Sequence, residues 1–421
     1  MKISVSKSRI KGKISAPASK SYTIRGLMCA ALADGDSDLL NPLSSDDTEA
    51  AIDVLSKLGI RVRQSGNVWR VTGGKYHEPN TELFCHDSAA TLRFTTAICS
   101  LIPGKCRLTA GPSLSLRPVN TLIEALRQLG IRCSSHGELP PVTIKGGSFK
   151  GGLAELPGDI SSQFVSALLL LSPFAEDRVT IRITSPLESK PYVAMTLDSM
   201  AKFGIKAEFS EAFDTFKISK QTYRAARYKI EGDWSSASYF LALGTISGET
   251  EIDNLSRDSL QGDKIMLNWL RDMGVSVKSS SNSVAVNKSK LKPVKIDLSD
   301  GIDLLPTMAV LSAVADGVSE FTGIARARLK ESNRVASVKE GLERMGVKVT
   351  EERNRMTITG SNPHGAVIDS KGDHRIAMAF SILGSLVGGT IIEGAECVTK
   401  TYPEFWNELK SIGGEVKING Q

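Results

Sequence analysis

Seven cations of this chain stand at or beside predicted helix starts: Lys20, Arg117, Lys190, Lys330, Arg334, Arg375 and Lys400. A helix N-terminus is itself electropositive, so acidic side chains belong there and cations do not. Hydroxyl groups crowd the same places, namely Ser19, Ser21, Ser161, Ser162, Ser189, Ser235, Ser236 and Ser332. One such serine reads as an N-cap, and one such lysine as a solvated side chain. Seven cations against the dipole ask for another account. A bound anion supplies it, because backbone N–H groups, hydroxyls and cations would then converge on phosphate or carboxylate. The pattern predicts a site for more than one anion.

Two carboxylates belong to this set. Asp303 precedes one helix, and Glu331 lies between Lys330 and Arg334 at the start of another. An acid beside two cations is either a salt-bridge partner or a proton carrier tuned by its neighbours. Asp46, Asp47, Asp159 and Asp233 read as helix caps. The chain has no Walker phosphate loop, GxGxxG, HExxH or GxSxG, which weakens nucleotide, dinucleotide, metalloprotease and serine-hydrolase readings.

The elements that must hold these residues recur along the chain. Gly59, Gly130, Gly204, Gly274, Gly346 and Gly413 follow one another at 71, 74, 70, 72 and 67 residues. Each closes an apolar-patterned helix, as in "LSKLGI", "LRQLGI" and "LERMGV". Glycine just past such a run is a C-cap signal, because it takes the left-handed conformation without steric cost. One supersecondary unit of about 70 residues is therefore used six times. Each unit opens with an apolar helix: Ser21–Asp34, Ala89–Ile102, Gln163–Ala175, Ser236–Ser247, Leu304–Asp316 and Arg375–Val387. A short strand such as Arg178–Ile183 or Thr390–Glu393 follows, then a second amphipathic helix ending at the glycine. Two helices and one sheet bury their faces only against neighbours, so the six copies group as three plus three. The polar stretch Gln221–Lys229 is the expected hinge, and Met1–Lys13 alternates like an extra strand of the second half.

Composition bounds the class. The 421 residues are 41% hydrophobic and 23% charged, as in a globular chain with large cores. Phe164–Ala175, the longest apolar stretch, is too short to span a bilayer, and the basic start fits a signal peptide poorly. Six scattered cysteines without CxxC read as reduced core residues of a cytoplasmic protein, and no metal site is expected. The net charge of +6 is mild and spread out, so small anions are the expected ligands and nucleic acid is not.

At these same residues the chain resembles the enolpyruvyl transferases, most closely their shikimate-pathway branch. The resemblance runs over essentially the whole length. It rests on "APASKSYTIR", "LSLRPV", "GDISSQF", "ESKPY", "EGDWSSASYF", "LKESNR", "GDHRIAM" and "VTKTYPEFW", in that order. It implies a two-lobed inside-out α/β barrel of six βαβαββ units, three per lobe, with the active site in the cleft between lobes. The expected lobes are 14–227, on the shikimate 3-phosphate side, and 1–13 plus 228–421. It implies transfer of the enolpyruvyl group of phosphoenolpyruvate to the 5-hydroxyl of shikimate 3-phosphate, by a monomer needing no cofactor. By the same resemblance Asp303 is the base, Glu331 the proton donor, and Lys20 shares the proton work. Lys20, Ser21, Arg25, Ser161, Ser162, Gln163, Ser189, Tyr192, Asp303 and Lys330 would hold shikimate 3-phosphate. Lys20, Ala89, Arg117, Gln163, Arg334, Arg375 and Lys400 would hold phosphoenolpyruvate.

Two positions depart from the family pattern. In "CHDSAATLRF", Ala89 stands where the family usually has glycine. A methyl there would intrude on an anion and on glyphosate, which shares that pocket in the family. The bland alternative is that alanine is simply a good helix former. Arg326 replaces an asparagine found in some members and reads as one more solvated cation. Two rival functions stay open: enolpyruvyl transfer to UDP-N-acetylglucosamine, and non-catalytic anion binding on the same scaffold. The former family pairs its lysine with asparagine rather than serine, and commonly has a cysteine where this chain reads "TAGPSLSLRP".

Overall fold

All six repeat-closing glycines adopt positive φ, from +83° at Gly346 to +96° at Gly59, in a computed structural model that describes residues 1–419. This is the left-handed C-cap geometry that a side chain would strain. The opening helices run Lys20–Leu32, Ala89–Ile98, Ser162–Leu171, Trp234–Ser247, Leu305–Ser312 and His374–Val387, each starting within two residues of expectation. Three of them end four residues sooner than expected, at Ile98, Leu171 and Ser312, and the first two runs tighten into the 3-10 turns Cys99–Leu101 and Ser172–Phe174.

The described residues form six four-stranded sheets of one mixed pattern. In the second repeat, Leu83–Phe84 pairs in parallel with Gly104–Thr109. That strand then pairs antiparallel with Leu139–Gly146, whose other neighbour is Arg132–His136. Three repeats borrow a strand from elsewhere in the chain. Arg227–Lys229 completes the first repeat's sheet beside Gly35–Leu40. Ile10–Ser15 lies parallel to Gly248–Asp253 in the fourth. Lys2–Val5 is inserted between Thr390–Glu393 and Val416–Asn419 in the sixth. The N-terminal segment thus does pair with the second half.

The chain divides into two units, Ala18–Ile230 and Met1–Pro17 with Glu231–Gln421, whose last two residues lie outside the described ones. The expected boundaries, 14–227 and 1–13 plus 228–421, differ by a few residues because two strands cross them. Strand Ile10–Ser15 runs past residue 13 in the unit of Glu231, and Arg227–Lys229 runs past 227 in the other. The expected hinge Gln221–Lys229 is likewise tied down, with Tyr223 and Tyr228 buried in the core. Their hydroxyls bond the Leu170 carbonyl at 3.0 Å and Ser199 Oγ at 2.9 Å.

In each unit the three opening helices form the centre and the sheets lie outside. Trp234–Ser247 is buried along its whole length and packs on Leu305–Ser312 and His374–Val387. Ala89–Ile98 packs on Ser162–Leu171, and Lys20–Leu32 on Lys190–Lys202. Burying Leu168, Leu169, Leu170 and Leu171 completely contributes about 1.5–3 kcal/mol per side chain. The helix starts, which carry the cations, are thereby held on rigid elements.

Candidate functional site

Ser19 caps helix Lys20–Leu32 by accepting the Tyr22 N–H at 3.4 Å, which makes Lys20 its first residue. Lys20 Nζ lies 2.7 Å from Oδ2 of buried Asp47. Asp47, expected as a cap, is not one. The cap of its helix, Asp46–Lys57, is Ser45, whose N–H goes to the Thr48 hydroxyl at 2.9 Å. Asp159 is not a helix cap either, but an acceptor from Ser185 Oγ at 2.8 Å.

Arg25 is buried one turn beyond Ser21. It donates to Thr196 Oγ1 at 2.8 Å and to the carbonyls of Ser21 and Tyr192, both at 3.0 Å. The rings of Phe94 and Tyr192 flank its guanidinium at 5.4 and 5.8 Å. Burial lowers its proton affinity, and Tyr192 offsets part of that loss.

Ser161 caps helix Ser162–Leu171 and also accepts from Arg93 Nη1 at 3.0 Å. The same Nη1 reaches Gln163 Oε1 at 2.8 Å, and the guanidinium lies over Phe164 at 4.8 Å. Arg93 therefore ties together two residues that sequence reasoning named without naming Arg93 itself. Ser189 is buried at φ +57°, immediately before Lys190 and Pro191. A serine in that region is held only where its surroundings demand it. Ala89 is the buried first residue of its helix, and buried Arg117 ends the 3-10 turn Leu114–Leu116.

The unit of Glu231 centres its charges on Arg334, 1% exposed and the first residue of helix Arg334–Arg344. Arg334 Nη1 bonds Asp303 Oδ1 at 2.7 Å, Nη2 bonds Glu331 Oε2 at 2.6 Å, and Nε bonds Asp373 Oδ2 at 2.8 Å. Burial opposes its charge, but these three carboxylates outweigh burial and raise its proton affinity. Asp373 in turn caps helix His374–Val387 by accepting the Arg375 N–H at 3.0 Å. Asp233 caps Trp234–Ser247 as expected, accepting the Ser236 N–H at 2.7 Å.

Asp303 gathers two more cations, Lys330 Nζ at 3.3 Å and Arg375 Nη2 at 3.2 Å. Burial alone would raise its carboxyl; Arg375, Lys330 and Arg334 together hold it well below the usual carboxylate range. Lys330 is pushed down to about 8 by burial and by Arg334 and Arg326, against the pull of Asp303. Arg375 Nη1 bonds the Ser235 hydroxyl and, at 3.3 Å, Tyr239 OH. Lys400 ends the 3-10 turn Ala395–Lys400 and is buried. Arg326, expected to be solvated, is buried instead and donates to the Ser299 carbonyl at 2.8 Å.

Comparison with known proteins decides the family. The family model for EPSP synthase (3-phosphoshikimate 1-carboxyvinyltransferase) matches residues 5–409. A 3-phosphoshikimate 1-carboxyvinyltransferase of Dehalococcoides mccartyi is 49% identical over 418 residues, 99% of each chain. That of Methanothermobacter thermautotrophicus is 38% identical over 426 residues and covers both chains fully. This chain belongs to the EPSP synthase family. An EPSP synthase structure from Acinetobacter baumannii shares the fold, with TM-score 0.83 and 24% identity over 99% of this chain and 100% of that one.

Within this EPSP synthase-family chain, the predicted residues divide between the units. Lys20, Ser21, Arg25, Ala89, Arg117, Ser161, Ser162, Gln163, Ser189 and Tyr192 belong to Ala18–Ile230. Asp303, Lys330, Glu331, Arg334, Arg375 and Lys400 belong to the other unit. Bonds join Arg25 to Ser21 and Tyr192, and Arg334 joins Asp303 to Glu331. Sequence reasoning did not foresee the partners these residues take: Asp47, Arg93 and Thr196 in one unit, and Ser235 and Tyr239 on Arg375 in the other. A lone arginine inside the apolar helix "AATLRFTTAI" was the one available signal for Arg93.

Proposed function

We propose that this chain transfers the enolpyruvyl group of phosphoenolpyruvate to the 5-hydroxyl of shikimate 3-phosphate, releasing phosphate. The observation that supports this most directly is the pairing of two acids with one buried guanidinium, in a chain of the EPSP synthase family. Asp303 and Glu331 occupy separate nitrogens of Arg334, with Lys330 and Arg375 on the same Asp303 carboxylate. Each substrate carries a phosphate and a carboxylate, which matches a site rich in cations.

In the addition step the 5-hydroxyl oxygen bonds to C2 of phosphoenolpyruvate. Asp303 takes the hydroxyl proton and Glu331 delivers one to the methylene carbon, making a methyl group. In the elimination step that methyl loses a proton and phosphate departs, leaving the enol ether. Lys20 shares the proton work. Asp303 is a weak base while three cations hold it. Substrate anions that engage Arg334 and Arg375 relax that hold and raise its basicity as the complex forms. Lys20, Arg117, Arg334, Arg375 and Lys400 stabilise the tetrahedral species, with Ala89 lining the phosphoenolpyruvate side. Ser21, Arg25, Ser161, Ser162, Ser189, Tyr192 and Lys330 hold shikimate 3-phosphate, and Gln163 serves both substrates.

Asp303→Asn and Glu331→Gln should each lower kcat by about 10²–10⁴, the range of general acid–base catalysis. Near-normal turnover in either variant overturns the assigned role. Product analysis with shikimate 3-phosphate and UDP-N-acetylglucosamine side by side tests the acceptor. We further read the protein as a cytoplasmic monomer without nucleic-acid partner, metal or cofactor. Sedimentation as a dimer, or loss of activity on chelation, would contradict that. Among the described residues no helix is long and apolar enough to cross a membrane.

A further inference from the structure

Arg93 is a buried cation that the proposed chemistry leaves unused. It projects from helix Ala89–Ile98, which packs on helix Ser162–Leu171. Its Nη1 carries two hydrogens and meets two acceptors, Ser161 Oγ at 3.0 Å and Gln163 Oε1 at 2.8 Å. Nη2 reaches the Pro118 carbonyl at 3.5 Å, and the guanidinium lies over the Phe164 ring at 4.8 Å. A guanidinium donates hydrogen bonds and accepts none. The Gln163 atom that faces it must therefore be the carbonyl oxygen, which turns the amide NH2 away from Arg93. Ser161 Oγ accepts a second bond, from the Gln163 N–H at 3.3 Å. Both of its lone pairs are then taken, so its one proton can only be donated elsewhere. Among the described residues, no group accepts from the Ser161 hydroxyl or from Gln163 Nε2. Two donors turned outward in this way suit an anion.

We propose that Arg93 is a positioning residue which, from a single nitrogen, sets the polarity of Ser161 and Gln163 so that both present donors to the substrate anions. The proposal rests on the reading of Ser161 and Gln163 as substrate ligands. Without Arg93, the Gln163 amide is free to rotate its oxygen outward, and the Ser161 proton is free to turn inward. Each residue then sets lone pairs against an anion. Lysine at 93 also donates without accepting, whereas methionine does not donate at all. Glutamate at 163 keeps the size of glutamine and the contact to Arg93, but its carboxylate only accepts.

The test is steady-state kinetics with both substrates for wild type, Arg93→Met, Arg93→Lys, Gln163→Met, Gln163→Glu and the Arg93→Met/Gln163→Met pair, with a thermal melt of each. Loss of the imposed donors should raise the Michaelis constants for both substrates about tenfold in Arg93→Met. Its kcat should stay within about threefold, because the same donors serve the ground state and the transition state. Arg93→Lys should recover part of the loss. The pair should fall short of the product of its single effects, since both changes act on one contact. Gln163→Glu should raise both constants by at least about tenfold while melting no lower than wild type, because its carboxylate pairs with Arg93 but repels the substrates. Should Arg93→Met fail to fold, Gln163→Glu still decides, and binding as tight as wild type in that variant overturns the proposal. Unchanged constants in Arg93→Met, a Lys variant as impaired as Met, or a pair equal to the product of its single effects each overturn it too. Wild type inactive with these two substrates would sink the proposed reaction itself. An active wild type impaired by Gln163→Met but not by Arg93→Met would sink only the role of Arg93.

Discussion

Lys330 gives the account a pH signature. Lysine ordinarily titrates at 10.5, and burial with Arg334 and Arg326 nearby brings Lys330 to about 8 despite Asp303. A drop of that size corresponds to about 3 kcal/mol of preference for the neutral amine. The sign follows directly. Below about 8 the charged amine costs the fold free energy, and that cost fades as pH rises from 8 toward 10.5. For binding the sign is opposite, because only the charged amine attracts an anionic substrate. The ratio kcat/KM for shikimate 3-phosphate, which reports the free enzyme, should therefore fall about tenfold per pH unit above about pH 8. Lys330→Arg keeps its charge throughout that range. Its absolute activity should be lower, since a guanidinium does not overlay an ammonium, but the alkaline limb should vanish. Arg326→Gln removes one of the charges that depress Lys330 and should move the limb to higher pH. Initial rates at saturating phosphoenolpyruvate, from about pH 6 to about pH 10, read all three profiles. An alkaline limb of unchanged midpoint in Lys330→Arg would refute the reasoning.

Three more outcomes follow from particular contacts. Arg25→Lys keeps one charge but cannot reach Thr196, Ser21 and Tyr192 together, so KM for shikimate 3-phosphate should rise by about 10–100-fold; an unchanged KM would show that the fork does not matter. Ala89→Gly removes the methyl at its buried helix start. Glyphosate should then inhibit at lower concentration, and an unchanged inhibition curve would leave Ala89 as a helix former only. Asp263 is raised to about 6 in the fold, so its charged form opposes folding above that pH. Asp263→Asn should accordingly raise the thermal midpoint at pH 7 by a few degrees, the scale of about 3 kcal/mol. That gain should disappear as pH falls toward 4, and a variant no more stable than wild type at pH 7 would count against the assigned ionisation.

The repeat was legible because its signals are local. A glycine that closes an amphipathic helix declares itself within one turn, and all six have the expected φ. The cations were legible for a similar reason: Lys20, Lys190 and Arg334 are each the first residue of their helix. What sequence could not supply was non-local pairing. Nothing within "KISV" says that it lies between two strands nearly 400 residues away, and nothing in "RYK" says that it completes the first sheet. That is why the boundaries shifted and the last three residues of the expected hinge proved to be a strand. Arg326 looked solvated because a charged residue in a turn usually is, and only tertiary packing buries it. Asp47 lies in the first turn of its helix, where an acid suits the dipole, and nothing local shows that it pairs with Lys20. Asp263 lies in "SLQGDKI", which reads as a plain turn until Gln261 fixes it against another helix.

Phosphate release tests the central claim most directly. The protein is mixed with phosphoenolpyruvate alone, with shikimate 3-phosphate alone, with both, and with phosphoenolpyruvate plus UDP-N-acetylglucosamine. The account predicts phosphate only when phosphoenolpyruvate and shikimate 3-phosphate are present together, in step with formation of the 5-enolpyruvyl ether and lost in Asp303→Asn. Phosphate released with UDP-N-acetylglucosamine instead, or none with the shikimate pair, would contradict it.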